Sequence, residues 1–252
     1  MHRFFVEPKS INSNSITIHG DTAKQISKVL RLRKGESIVV MDNSGMEYSV
    51  ELSSISDSYC SGFITQTNMG TAEPKIKVRL FQSILKADKF DSILQKGTEL
   101  GVSRFVPFYS ERTIPRSPAK LYESKSPRWN KIILEAAEQC GRSKIPLLDH
   151  PIGIKEAISS AEGLVILAWE NMKSTDLGQI LMDNQTIINE KGISIFIGPE
   201  GGFSSEEVED AKSKGVIIIS LGNRLLRSDT AGLALSAVLM YELGDLGKQT
   251  QD

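Results

Sequence analysis

Apolar and polar positions divide the chain into two regimes. In the first seventy or so residues the two classes alternate: Met46, Tyr48, Val50 and Leu52 share one face of a strand, the stretch 37–41 supplies a partner, and Asn43-Ser44-Gly45 between them is a turn signal. A small β-rich module with one helix is the expectation. The stretch 66–74 is polar, has no helical or strand period, and is punctuated by Gly70 and Pro74, so it reads as a linker. The expected domains are therefore 1–73 and 74–252.

Beyond residue 75 strands alternate with helices. The stretch 76–85 is strand-like; Phe90, Ile93, Leu94, Gly97 and Leu100 then recur at helical spacing, and Gly101 ends the helix. Ser126 with Pro127 at the first helical position opens another helix, whose apolar face holds Trp129, Ile132, Ile133, Ala136 and Ala137 before Gly141 closes it. Apolar runs at 164–169, 193–197 (broken only by Ser194) and 216–219 read as buried strands. Their alternation with helices argues for an α/β domain with a mostly parallel sheet covered on both faces.

Two of those strands run into loops rich in glycine: Gly198-Pro199-Glu200-Gly201-Gly202-Phe203, and Leu221-Gly222-Asn223-Arg224-Leu225-Leu226-Arg227-Ser228-Asp229. Ser204 with Glu207 forms a capping box after the first, and Ser228 or Asp229 can cap the helix that follows the second. In open α/β sheets ligands sit beyond the carboxyl ends of the strands, where glycines let the backbone approach them closely. No Lys-Ser/Thr follows the glycines as in a P-loop, and Gly198 to Gly202 is not the G-x-G-x-x-G of a dinucleotide fold.

These loops, together with Met1-His-Arg-Phe-Phe-Val6, Val29-Leu-Arg-Leu-Arg33, Gln95-Lys-Gly-Thr-Glu-Leu-Gly101 and the run from Arg128 to Arg142, resemble the bacterial 16S ribosomal RNA uridine N3-methyltransferases of the knotted SPOUT class. The resemblance extends over nearly the whole chain. Ser228-Asp229 stands where the family pattern has Thr-Glu, and Glu111-Arg-Thr-Ile-Pro115 where it has Glu-Arg-Ser-Val. The resemblance implies an N-terminal PUA-like RNA-binding barrel followed by a SPOUT-type, trefoil-knotted parallel-sheet domain. It implies a homodimer that methylates N3 of a uridine, at a U1498-type position, in 16S ribosomal RNA of the small ribosomal subunit. S-adenosylmethionine is the implied cofactor, held by Gly198, Gly201 and Gly202, by backbone around Leu221, Gly222, Leu225 and Leu226, and by Ile197 and Ala231. A third wall is expected from Leu167, Ala168 and Glu170.

Composition narrows the class. The chain has 252 residues, 40% of them hydrophobic, enough for a sizeable core. Cys60 and Cys140 are the only cysteines and the histidines number 3, which disfavours a disulfide framework or a zinc site; no metal is expected, and a reducing cytoplasm fits. No apolar run approaches the roughly 20 residues that span a bilayer, so no membrane association is expected. Net charge is −1, yet residues 75–150 hold 15 basic against 8 acidic residues, and Lys24, Lys28, Arg31, Arg33 and Lys34 fall together without an acid among them. Such clusters attract phosphate backbones, and they are equally compatible with ordinary solvated faces.

Methylation at N3 requires the imide proton to leave and the nitrogen to align with the methyl group. Arg227 is the candidate to contact the base or its phosphate, because its planar fork can meet uracil carbonyls; the alternative is a structural pair with Asp229 or Glu200. Glu200 and Asp229 are candidate bases, and each could instead be a helix-start carboxylate. Lys24, Lys28, Arg31, Arg33, Arg3 and Arg142 are the candidate RNA contacts, with Arg3 also readable as a plain strand start. Trp129 and Trp169 read as core. A ribose 2′-O-methyltransferase is the other enzyme reading, and an RNA-binding assembly protein without turnover the non-catalytic one; intact glycine loops favour an enzyme.

Overall fold

The computed structural model describes residues 1–86, 89–114, 117–173 and 175–247; Pro115 of the 111–115 segment and the last five residues of the expected second domain lie outside them. The chain forms two compact units, one of 1–73 with 134–145, the other of 74–133 with 146–252.

In the first unit the strands are β1 (His2–Phe5), β2 (Ser15–His19), β3 (Ser37–Met41), β4 (Met46–Ile55) and β5 (Tyr59–Met69), with a short helix α1 (Gly20–Lys24) continuing into a π turn. They make one sheet in the order β1-β3-β4-β5-β2, parallel only at β1 and β3. Phe4, Ile16, Ile18, Ile38, Val40, Val50 and Leu52 fill its core, as the alternation along β3 and β4 requires. Gly62 can only be glycine because β4 passes so close that a Cβ would lie 2.6 Å from the Glu51 carbonyl oxygen.

The second unit contains β6 (Val78–Ser83), α2 (Lys89–Glu99), β7 (Val102–Tyr109), α3 (Pro118–Cys140), β8 (Leu147–Leu148), β9 (Ile152–Gly153) and α4 (Ile154–Ser160). It continues with β10 (Leu164–Ala168), α5 (Leu177–Asp183), α6 (Gln185–Lys191), β11 (Ile193–Ile197), α7 (Ser205–Ser213), β12 (Ile217–Ile219) and α8 (Ser228–Glu242). The last turns of α3 belong to the first unit. Every strand pairing is parallel, in the order β12-β10-β11-β6-β7-β8, with β9 also paired to β7. Parallel strands with both faces covered are mostly apolar; β11 is buried at all five positions with Ser194 its one polar residue, and Phe81 stacks on Phe196 at 4.3 Å.

Two helix starts differ from the sequence expectation. α3 begins at Pro118 and carries Pro127 inside it, because the turns on either side pack together: Tyr122 lies edge-on to Trp129 at 6.0 Å, and the Trp129 indole donates to Asp91 at 2.8 Å. α8 takes Arg227 as its N-cap with no side-chain cap, and Ser228 is its first helical residue, its hydroxyl donating to the Gly198 carbonyl. The Ser204–Glu207 capping box at α7 is present as expected. Among the described residues no helix is long and apolar enough to cross a membrane.

Candidate functional site

The register of the sheet brings three strand ends level. Ala168 at the end of β10 pairs with Ile197 at the end of β11 and with Ile219 at the end of β12, so the segments that follow leave from one edge of the second unit. They wall a cleft of about 680 Å³. One wall is Ala168, Trp169 and Glu170; a second runs from Ile197 to Phe203; a third runs from Ser220 to Ser228, and Ala231 of α8 closes it.

Several backbone features make that cleft possible. Gly198 is buried, and a Cβ there would sit 3.0 Å from the Phe203 ring, so a side chain would push into the core that Phe203 shares with Phe108. Gly202 has φ +69° and Gly222 φ +101°, backbone that residues with a Cβ rarely adopt. The Gly201 carbonyl accepts from the Arg112 guanidinium at 3.0 Å, and the Glu111 N–H donates to Glu207 at 2.9 Å, so the loop after β7 braces the loop after β11. The result is a concave wall in which glycine backbone is combined with apolar and polar side chains, a fit for a flat polar ligand.

Of the residues selected from sequence, Ala168, Glu170, Ile197, Gly198, Gly201, Gly202, Leu221, Gly222, Leu225, Leu226 and Ala231 line the cleft, as do Arg227 and Glu200. Leu167 does not: its side chain is fully buried in the core with Phe81 and Phe196, because alternation along β10 turns it away from the ligand edge. Asp229 does not line it either; its Oδ1 is buried without a hydrogen-bond partner among the described residues, in the first turn of α8. That is the place of a helix-start carboxylate rather than of a base facing substrate. Neither Asp229 nor Glu200 forms an ion pair with the exposed Arg227. Glu200 instead lies 3.9 Å from the Lys89 ammonium and 3.5 Å from the Lys86 N–H.

In the first unit Lys24, Lys28, Arg31 and Arg33 are all exposed. Lys24 pairs with Asp21 at 3.3 Å and Lys28 with Asp57 at 2.9 Å, and the Lys28 hydrogen bond holds the Asp57 carboxyl below its ordinary range. Arg31 has φ +54°, which breaks the helical run and lets the chain turn toward β3. Arg3 is paired with Glu47 at 2.9 Å and partly buried. Arg142 overturns its assignment as an RNA contact. Only 3% exposed, it donates from Nη2 to Glu73 at 3.0 Å, while the Lys144 N–H donates to the same carboxylate at 2.9 Å; it is a structural anchor of the chain after α3.

Sequence reading missed Lys89, Gln82, Ser228 and Arg112. Lys89 had a signal in its place at the start of a helix that follows a sheet strand. Arg112 stood in the Glu111-Arg segment that matches the family pattern, and Gln82 had no signal, since only tertiary contact gives it partners. Trp169 is packed against the core as expected and also lines the cleft, and its Nε1 is buried with no partner among the described residues. Among the described residues no group of three or more His, Cys, Asp or Glu is placed to hold a metal ion.

Comparison with known proteins assigns this architecture. Residues 72–240 match the model of the RNA methyltransferase domain family. Ribosomal RNA small subunit methyltransferase E of Bacillus subtilis (strain 168) is 32% identical over 94% of this chain and 96% of its own length. The protein of the same name from Mesomycoplasma hyopneumoniae (strain 232) is 34% identical over 93% and 97%. A crystal structure of ribosomal RNA small subunit methyltransferase E from Neisseria gonorrhoeae, bound to S-adenosyl methionine, superposes with a TM-score of 0.85 at 29% identity, covering 96% of this chain and 97% of that one.

Proposed function

The chain belongs to the RNA methyltransferase family that includes ribosomal RNA small subunit methyltransferase E, and from that premise we propose that it methylates N3 of a uridine, at the U1498-type position, in 16S ribosomal RNA. It is an S-adenosylmethionine-dependent ribosomal RNA methyltransferase. The observation that carries the reading is the glycine-walled cleft at three level strand ends with Arg227 at its edge. When bound, S-adenosylmethionine supplies an electrophilic methyl group on a sulfonium.

Gly198, Gly202 and Gly222 let the backbone close around that ligand, and Ile197, Leu226 and Ala231 supply apolar contact. Arg227 presents its guanidinium to the uracil carbonyls that flank N3, where positive charge stabilises the imide anion left when the N3 proton departs. Methyl transfer then forms the N3–C bond as the S–C bond breaks, and the electron pair stays on sulfur. Of the two candidate bases, Glu200 is our choice to receive the proton, since it lines the cleft, as Glu170 also does, and Asp229 does not. Lys24, Lys28, Arg31 and Arg33 bind RNA phosphates through a PUA-like first domain. The second domain is a trefoil-knotted SPOUT domain acting as a homodimer in the cytoplasm, a pairing supported by exposed Val238 and Tyr241 on α8. The substrate is the rRNA within the small ribosomal subunit.

The deciding experiment compares modified nucleosides in 16S ribosomal RNA from cells with and without the gene. Loss of N3-methyluridine and its return on complementation is expected; an unchanged level refutes the assignment. Loss of a ribose methylation with N3-methyluridine intact assigns the 2′-O reaction instead.

A further inference from the structure

Gln82 is a fully buried amide in the middle of a parallel sheet, paired in register with Ile197 of β11 and Pro107 of β7. Burying an amide there is costly unless its groups are hydrogen-bonded. Its Nε2 donates to the Ser228 hydroxyl at 3.0 Å and to the Ser83 carbonyl at 3.3 Å, and the Ser228 hydroxyl donates to the Gly198 carbonyl. The Ser228 hydroxyl has a single proton, and with that proton committed to Gly198 it can only accept from Gln82. The amide therefore has to present nitrogen, not oxygen, to Ser228. Gln82 Oε1 points the other way, toward Gly232 of α8, where a Cβ would lie 3.0 Å from it, and it finds no donor among the described residues.

This polar chain joins three elements: the floor of the sheet at β6, the first residue of α8, and the residue at which the β11 loop leaves the sheet. Gly198 and Ser228 line the cleft, whereas Gln82 does not. Pro199 follows Gly198 and has no N–H, so the Gly198 peptide keeps its orientation through the carbonyl bond to Ser228.

We propose that Gln82 is a positioning residue for S-adenosylmethionine binding, its carboxamide holding Ser228 and, through it, the Gly198 carbonyl in the geometry the cleft requires. The inference rests on the assignment of the cleft above. A fully buried polar side chain that uses both of its amide protons, leaves its oxygen unpaired and is followed by a committed hydroxyl is built for direction rather than for stability alone.

The test measures S-adenosylmethionine affinity of the full-length protein by calorimetry, with the melting temperature of the free protein alongside. Gln82→Leu fills a similar volume and removes the unpaired oxygen, so the melting temperature should hold while affinity falls about tenfold, the scale of one hydrogen bond. Gln82→Glu separates positioning from packing. Protonated, its hydroxyl replaces the amide donor to Ser228; ionised, it can only accept, and it competes with Gly198 for the Ser228 proton. Relative to wild type, its affinity should fall with rising pH as a single proton is lost, somewhere between about pH 5 and about pH 9, the range buried glutamates span. Wild-type affinity in Gln82→Glu across that range overturns the inference, whatever Gln82→Leu does. No binding by the wild type refutes the cleft assignment instead.

Discussion

The cleft of the second unit and the basic segment of the first were both selected from sequence, and they are built on opposite principles. In the cleft, position is set by things that cannot move far: glycines at φ +69° and +101°, a buried Gly198 against the Phe203 ring, and a Gln82–Ser228–Gly198 chain of hydrogen bonds. In the segment from Lys24 to Arg33 the four basic side chains are exposed while Ile26 is buried beneath them, and two of the four are held by exposed carboxylates. Exposed pairs of that kind contribute little to stability, so they can be exchanged for phosphate contacts at little cost. A site for one small ligand needs fixed walls; a surface for a flexible polyanion needs charge and freedom.

Arg142 marks the limit of that contrast, a basic residue of the first unit that is buried and paired. Arg142→Ala should destabilise the protein by about 1 to 3 kcal/mol, because the buried guanidinium and its charged hydrogen bonds to Glu73 are lost while Glu73, partly exposed, keeps the Lys144 N–H; thermal unfolding reads this, and the salt dependence of RNA binding should not change. If RNA affinity falls with stability intact, Arg142 belongs to the RNA surface after all.

Arg227→Ala should keep near-normal S-adenosylmethionine affinity and lower the single-turnover methylation rate by about 10² to 10³, the usual effect of removing one donor to a developing anion. An equal loss in cofactor binding would make Arg227 part of the walls. Gly198→Val tests rigidity directly. Overpacking against Phe203 costs about 1 to 3 kcal/mol, and calorimetry should show S-adenosylmethionine affinity reduced by roughly one to two orders of magnitude; unchanged affinity would mean the loop yields freely.

On the basic segment, neutralising Lys24, Lys28, Arg31 and Arg33 should lower the log–log salt slope of RNA binding by nearly one unit for each phosphate that is no longer neutralised, with cofactor affinity untouched. A slope equal to the wild type's removes these residues from the interface. The smallest effect is expected at Glu138, whose carboxyl burial pushes up even though the Phe5 N–H bonds to its Oε1 at 2.9 Å. A carboxyl raised in the folded state stabilises most when protonated, and that stability is lost as pH climbs past the unfolded value toward the folded one. Glu138→Gln keeps the acceptor without the charge, so its melting temperature should match the wild type's in acid and exceed it at neutral pH.

How much of this was legible in the chain follows from range. The alternation of Met46 to Leu52, the capping box at Ser204 and the apolar run of β11 are local patterns, and each appears as an element of the structure. Local rules failed at Pro127, where a helix start signal was overruled by Tyr122 and Trp129 packing across it, and at Ser228, which is the first helical residue rather than the cap, its hydroxyl bonded to a carbonyl thirty residues earlier in the chain.

The sequence by itself determined the strands at 37–41, 46–52, 164–168 and 193–197, that glycines stand at the ends of β11 and β12, and where positive charge collects, because periodicity, backbone freedom and charge are properties of neighbouring residues; it reads 66–69 as linker, where β5 instead continues in register with β4. Only the tertiary structure decided that Leu167 faces the core while Ala168 faces the cleft, that Arg142 is buried on Glu73, that Asp229 stays out of the site, and that Gln82 reaches Ser228. Those outcomes depend on strand register and helix placement, which bring together groups from 29 to 146 positions apart that no local pattern relates.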